Sequence, residues 1–299
     1  MTLRSRTAAH RKGFLFRAAA AIAFCISLAA GSESFAAARP FTERFSVNSR
    51  GDIKLIGNTI ITCDPAGRTN GDVCAAGRSA TGNKLDSQAF NMVYVNIDGQ
   101  AISSSSADLS LPAGSSVLWA GLYWGGDTSS TQASPPYTTV KLKTPASGGY
   151  ITVNAANTDI GLGGGNLATF YSCFADVTSY VRSGMSGTYT LADMQTNLKP
   201  TGTPSWFGGW GLVVVFSSTS MPLRNLVVFD GFAEIGNNSG IVIPLSGFTT
   251  PLNGPVGTTV GFMVEQGELG GTGDGMMLNS TVLQDALRPS TNFMNSTVT

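Results

Sequence analysis

Apolar runs in this chain are short, and almost every one stops at glycine, asparagine, serine or proline. Such punctuation is incompatible with long helices and is the pattern of strands separated by turns. Asp52–Thr62, Asn91–Ile97, Ser116–Trp124, Thr138–Lys143 and Tyr150–Asn154 read as strands. So do Leu167–Phe174, Gly187–Ala192, Gly209–Ser217, Leu226–Ala233, Gly240–Leu245 and Thr258–Glu265. In Thr138–Lys143, Val140 and Leu142 alternate with Lys141 and Lys143, as on a half-exposed strand. Trp210–Phe216 is apolar on both faces, so it belongs at the centre of a sheet beneath a second layer. Only Ala175–Val181, with Asp176 near its start and Gly184 as its stop, and Thr281–Leu287 read as helical turns. The fold expected is all-β: a jelly-roll-like β-sandwich with long loops and one or two short helices.

Residues 1–36 have a different layout. A basic stretch from Arg4 to Arg17 precedes an apolar run, Ala18–Ala30, and a small-residue exit at Ser34-Phe35-Ala36-Ala37. This is the design of a secretory signal peptide, and the apolar run falls short of the ~20 residues that span a bilayer. Cleavage would follow Ala36 or Ala38, leaving 37–299 as a single large β domain, secreted or held at the cell surface, with no membrane span. The segment Thr281–Thr299 begins an element and stops, as a docked edge strand or the front portion of a longer protein would.

The whole chain carries 18 Lys and Arg against 18 Asp and Glu. The leader holds five of the bases and one acid, so 37–299 keeps 13 bases against 17 acids, a net charge near −4. With no basic stripe, nucleic acid is not an expected partner. The one histidine, His10, lies in the leader. What remains cannot run a Ser-His-Asp or Cys-His mechanism or build a His-ligated metal site, so no catalytic residue is assigned.

Three cysteines follow the leader. Cys63 and Cys74 flank a turn-rich segment, as a disulfide-closed loop would. Cys173 lies in a small, apolar stretch and reads as a buried free thiol. Gly161–Asn166 lacks the Lys-Ser/Thr ending of a phosphate loop and reads as a surface loop. Arg50-Gly51-Asp52 reads as a turn entering the first strand.

Three sets of residues carry the remaining chemistry. Glu265, Glu268 and Asp274, in a glycine-rich segment, supply hard oxygens of the kind calcium takes, with Asp127 and Asp159 as further oxygens in long loops. Calcium is the only cofactor the sequence suggests. Among the aromatics, Trp119 and Tyr123 share one strand face and Trp124 points the other way, with core packing the expected fate of most. Trp206 and Phe207 sit in a loop-like segment, where pyranose rings could stack. Asp230 and Glu234 are the carboxylates a glycosidase would need, although Asp230-Gly231 reads more simply as a turn at a strand end.

Several short segments occur in order: Gly57–Cys63, Val117–Gly125, Ala175–Thr178, Gly209–Phe216, Arg224–Phe232 and Thr272–Asp274. Together they resemble the N-terminal domain of large exported bacterial surface proteins in which such a domain precedes conserved immunoglobulin-like repeats. The resemblance implies a noncatalytic cell-surface or extracellular role with no established active site. The chain departs from that pattern in lacking the downstream repeats. The function expected is an adhesive or structural surface module whose partner is a glycan or a surface protein. A carbohydrate-binding domain, calcium-dependent or not, is the alternative, and a carboxylate-dependent glycosidase-like enzyme the second.

Overall fold

The computed structural model describes residues 39–69, 71–83, 85–128, 137–156, 160–163, 169–198, 207–233, 235, 240–248, 250 and 252–296. The leader therefore lies outside the described residues. The chain opens with a long strand, β1 (Arg39–Thr59). A small lobe follows, built from β2 (Ile61–Cys63), β3 (Arg68–Thr69), β4 (Asp72–Val73), the short helix α1 (Cys74–Arg78), a 3-10 turn at Ser87–Ala89 and β5 (Met92–Tyr94). Next come β6 (Ser104–Leu109), β7 (Ser116–Thr128), β8 (Thr139–Lys143), β9 (Ile151–Asn154), β10 (Ile160–Gly163) and β11 (Thr169–Asp176). The helix α2 (Thr178–Gly184), β12 (Gly187–Ala192), β13 (Gly208–Ser217), β14 (Leu223–Phe232) and the minimal strands β15 (Met277–Leu278) and β16 (Thr281–Val282) complete the order.

Two antiparallel sheets dominate. The larger runs β10-β11-β7-β13-β1-β14 and the smaller β6-β12-β8-β9. Leu122, Trp124, Leu212 and Val214 of the larger sheet share one buried cluster with Val140, Leu142, Val153, Tyr189 and Leu191 of the smaller. The architecture is therefore all-β and sandwich-like, as the punctuation of the sequence predicts. The indole N–H of Trp210 donates to Ser105 Oγ on the facing sheet at 2.9 Å, satisfying a polar group inside the core.

The larger sheet is apolar on its outer face too. Trp119, Tyr123, Phe174, Val213, Val215, Leu226 and Val228 form a second cluster there. That accounts for β13, whose even and odd residues both avoid water and which lies between β7 and β1. In β7 the register slips by one residue against Val215 and Phe216, so Val117 faces inward and Trp119 outward. Arg182 of α2 donates to the carbonyls of Val117 and Leu118 at 2.9 and 2.8 Å, meeting the acceptors that this bulge exposes. Asp176 Oδ1 accepts from the Thr178 N–H at 2.8 Å at the start of α2.

Several sequence expectations are corrected. Gly240–Leu245 and Thr258–Glu265 are not strands. In the second of these segments Gly261, Met263 and Glu265 lie against Leu55, Gly211 and Gly125 of the larger sheet instead of joining a ladder. Thr281–Leu287 is not helical, since Thr281 and Val282 pair with Leu278 and Met277. Asp230-Gly231 is not a turn but part of β14, and Gly161–Gly163 pairs with β11 in place of a free loop. Arg50-Gly51-Asp52 continues β1, at the point where the strand exchanges β14 for β13 as its partner. Among the described residues no helix is long and apolar enough to cross a membrane.

Candidate functional site

Cys63 and Cys74 are joined by a disulfide, with Cα atoms 5.5 Å apart. Around the bond, Phe90 completes a satellite core beneath the lobe. Cys173 is a free thiol buried between the sheets, and desolvation pushes it up to about 12, far from a reactive thiolate.

On the outer face, Trp119 stacks between Phe45 at 5.7 Å and Phe174 at 6.1 Å, and Tyr123 tilts against Phe174 at 5.0 Å. The Arg44 guanidinium sits 4.2 Å over the Phe174 ring. A shallow cleft of about 590 Å³ lies beside these rings, lined also by Asn154, Asp176 and Tyr180. Trp119 and Phe174 are themselves buried, their faces covered by Phe45, by each other and by Arg44.

Beside the shelf lies a compact ion cluster. Asp230 on β14 accepts from Arg39 Nη1 at 3.0 Å and Arg44 Nε at 2.8 Å, both from β1, and from the Tyr123 hydroxyl of β7 at 3.0 Å. Desolvation, then the nearby Asp230 charge, pushes the Tyr123 phenol far above its ordinary range. Asp230 thus serves as the counter-ion of two arginines within the sheet. Glu234, its proposed catalytic partner, lies outside the described residues. Arg39 and Arg44 lie ahead of Asp52, where the expected first strand begins, so the sequence does not mark them as partners of Asp230. The alternation of Phe45 and Val47 with Ser46 and Asn48 was the available signal.

The three proposed calcium ligands have separate partners. Glu265 lies over Gly125 of β7 and accepts from Ser172 Oγ of β11 at 3.2 Å. Loss of hydration lifts its carboxyl to about 8, and only the Ser172 hydrogen bond opposes this. Glu268 accepts from the backbone N–H and hydroxyl of Ser87 at 2.8 and 2.5 Å, and burial raises its carboxyl as well. Asp274 accepts from the Met294 N–H at 2.7 Å. Among the described residues no three His, Cys, Asp or Glu side chains gather into a metal-sized group. Asp127 is fully buried at the end of β7, not in a loop, because its backbone pairs with Phe170 and bonds to Thr196. Asp159 and Trp206 lie outside the described residues. Phe207 is half-buried and tilts against Phe170 at 5.4 Å.

Compared with known proteins, the chain matches no family model, no curated protein and no solved structure.

Proposed function

We propose that the chain is a noncatalytic exported module, an adhesive or structural β-sandwich of the cell surface or extracellular space. The observation that carries this reading is the disulfide between Cys63 and Cys74, since such bonds persist in oxidising compartments. The signal-peptide layout of 1–36 and the resemblance to exported bacterial surface proteins agree with it. So does the outer-face chemistry: Asp230, the best carboxylate for a glycosidase, balances Arg39 and Arg44 inside the sheet.

The test is expression of the full chain in a bacterial host, mass measurement of its N-terminus, and protease treatment of intact cells. Processing after Ala36 or Ala38 with loss of the protein to external protease supports the proposal. An unprocessed chain protected inside the cell overturns it.

The cleft lined by Arg44, Asn154, Asp176 and Tyr180 supports a carbohydrate-binding function as the second reading. Thermal melts across a glycan panel, with and without calcium, separate the two. A ligand that binds only the native state raises the melting temperature by mass action. A shift with a glycan that Tyr180→Ala, a change at an exposed residue of the cleft, abolishes ranks sugar binding first. No shift with any glycan leaves a protein of the cell surface as the partner to seek.

A further inference from the structure

Glycine in the interior of a strand weakens it, so glycines aligned across neighbouring strands mark a place where another part of the chain comes close. On the outer face of the larger sheet Gly57 of β1 pairs with Gly211 of β13, and Gly209 of β13 pairs with Gly125 of β7. Gly125 in turn pairs with Ser172 of β11. Each lies two residues, or four for Gly209, along its strand from Leu55, Val213, Tyr123 or Phe174, which places it on the same outer face. They form a furrow that cuts across four strands.

Residues 261–265 lie along it. Gly261 sits beside Leu55, the Met263 sulfur fills the space over Gly211, and the Glu265 carboxyl fills the space over Gly125 and reaches Ser172. A Cβ at either Gly125 or Gly211 would overlap these side-chain tips. The segment is an irregular strap that joins no ladder among the described residues, so side-chain seating is what holds it. The whole stretch 240–264 contains no charged residue, which leaves Glu265 as the first ionisable group the strap brings to the sheet.

We propose that residues 261–268 are a strap latched over the furrow by the protonated Glu265 side chain, and that the strap lifts when that carboxyl ionises. Among the described residues, the groups around the latch contain no cation to balance its charge. They are the Ser172 hydroxyl with the Cys173 thiol and Tyr171 phenol on β11, and the Gly125 backbone on β7 with Asp127 two residues along that strand. On the strap itself Glu268 is already tied to Ser87. Among the described residues, an anion at Glu265 keeps only the Ser172 hydrogen bond against its loss of water. Below the ordinary glutamate range both closed and lifted forms are protonated and the latch is at full strength. It weakens as pH rises toward about 8, the value for the seated carboxyl.

Met263, which is 38% exposed but whose sulfur is seated over Gly211, reports the state of the strap. The purified chain is exposed to dilute hydrogen peroxide at pH 5 and at pH 9, and sulfoxide formation is followed peptide by peptide. Fully buried Met194 reports global unfolding and exposed Met277 the intrinsic reactivity of the peroxide. Relative to Met277, Met263 is expected to oxidise roughly threefold or more faster at pH 9, with Met194 protected throughout. Glu265→Gln, which stays neutral, is expected to remove the difference. Equal Met263 rates at both pH values in the unaltered chain overturn the proposal, as does a pH difference that survives in E265Q. Should E265Q expose Met194, Ser172→Ala takes its place. It removes the only hydrogen bond that favours the anion, so the onset of Met263 oxidation must move to higher pH, and an unmoved onset overturns the latch.

Discussion

Tyr123 Oη and Arg44 Nε both donate to Asp230 Oδ2, at 3.0 and 2.8 Å, so one carboxylate oxygen joins β7, β1 and β14. Arg39 takes the other oxygen. Asp230 is nearly inaccessible to water, and Asp230→Ala leaves two arginines and a phenol facing each other without their anion. The expected loss is about 3–5 kcal/mol in urea unfolding. Tyr123→Phe removes one hydrogen bond and is expected to cost about 1–2 kcal/mol. A loss below 1 kcal/mol for D230A would show that the cluster contributes little to holding the strands.

Gly51 and Gly125 both lie in the larger sheet but fail differently when given a side chain. At Gly51 a Cβ meets the carbonyl of Phe216, which is backbone of the paired strand and cannot yield. At Gly125 it meets the end of Glu265, which can swing away with the strap. Gly51→Ala is expected to cost about 3 kcal/mol or more, and Gly125→Ala closer to 1 kcal/mol. Equal losses in urea unfolding would mean that the strap is as rigid as the sheet.

The disulfide closes a loop between residues 11 positions apart. Replacing both Cys63 and Cys74 by serine is expected to destabilise the chain by about 3 kcal/mol, by the loop-closure entropy returned to the unfolded state. The check is urea unfolding of the double variant beside the oxidised chain. A reductant should reproduce the loss in the unaltered protein and leave the variant unchanged.

Stability should also fall between the unfolded and folded ionisation ranges of Glu265. The folded chain holds a proton there up to about pH 8, while the unfolded chain loses it near 4.5. Over that window the native state binds more protons, so unfolding becomes easier as pH rises. Glu268, also lifted by burial, acts in the same direction. The urea midpoint is expected to be higher at pH 5 than at pH 8.5, and E265Q should lose much of that difference.

Cys173 is expected to resist alkylation by iodoacetamide at pH 8 in the native chain and to react fully in urea, since burial holds its thiol near 12. Labelling of the native chain at a free-thiol rate would show that the sheets part readily.

The β-class and most paired strands were legible because alternation and glycine punctuation are local properties. Val140 and Leu142 are buried while Lys141 and Lys143 stay toward water, as their spacing implies. The Cys63–Cys74 bond was legible for the same reason, being close in sequence. Long-range partnerships were not. The arginines of Asp230 lie 191 and 186 residues away in the sequence, and no residue near Asp230 announces them. The strap misled in the opposite way. Thr258–Glu265 has the side chains of a strand, but its place across the sheet gives its backbone no neighbour to pair with. Periodicity reports which side chains seek burial; it does not report which backbone lies alongside.

The long first strand has a consequence for how the protein is made. Its first half, Arg39–Arg50, pairs with residues of β14, and its second half, Gly51–Thr59, with residues of β13. A chain grows from its N-terminus, so the first segment to emerge must wait for almost the last of these strands before its hydrogen bonds can close. Closing such a span is slow, whereas β7, β11 and β10 pair among themselves without it. Both edges of β1 meanwhile stand open, so its whole row of backbone donors and acceptors goes without a strand partner until β13 and β14 have been made.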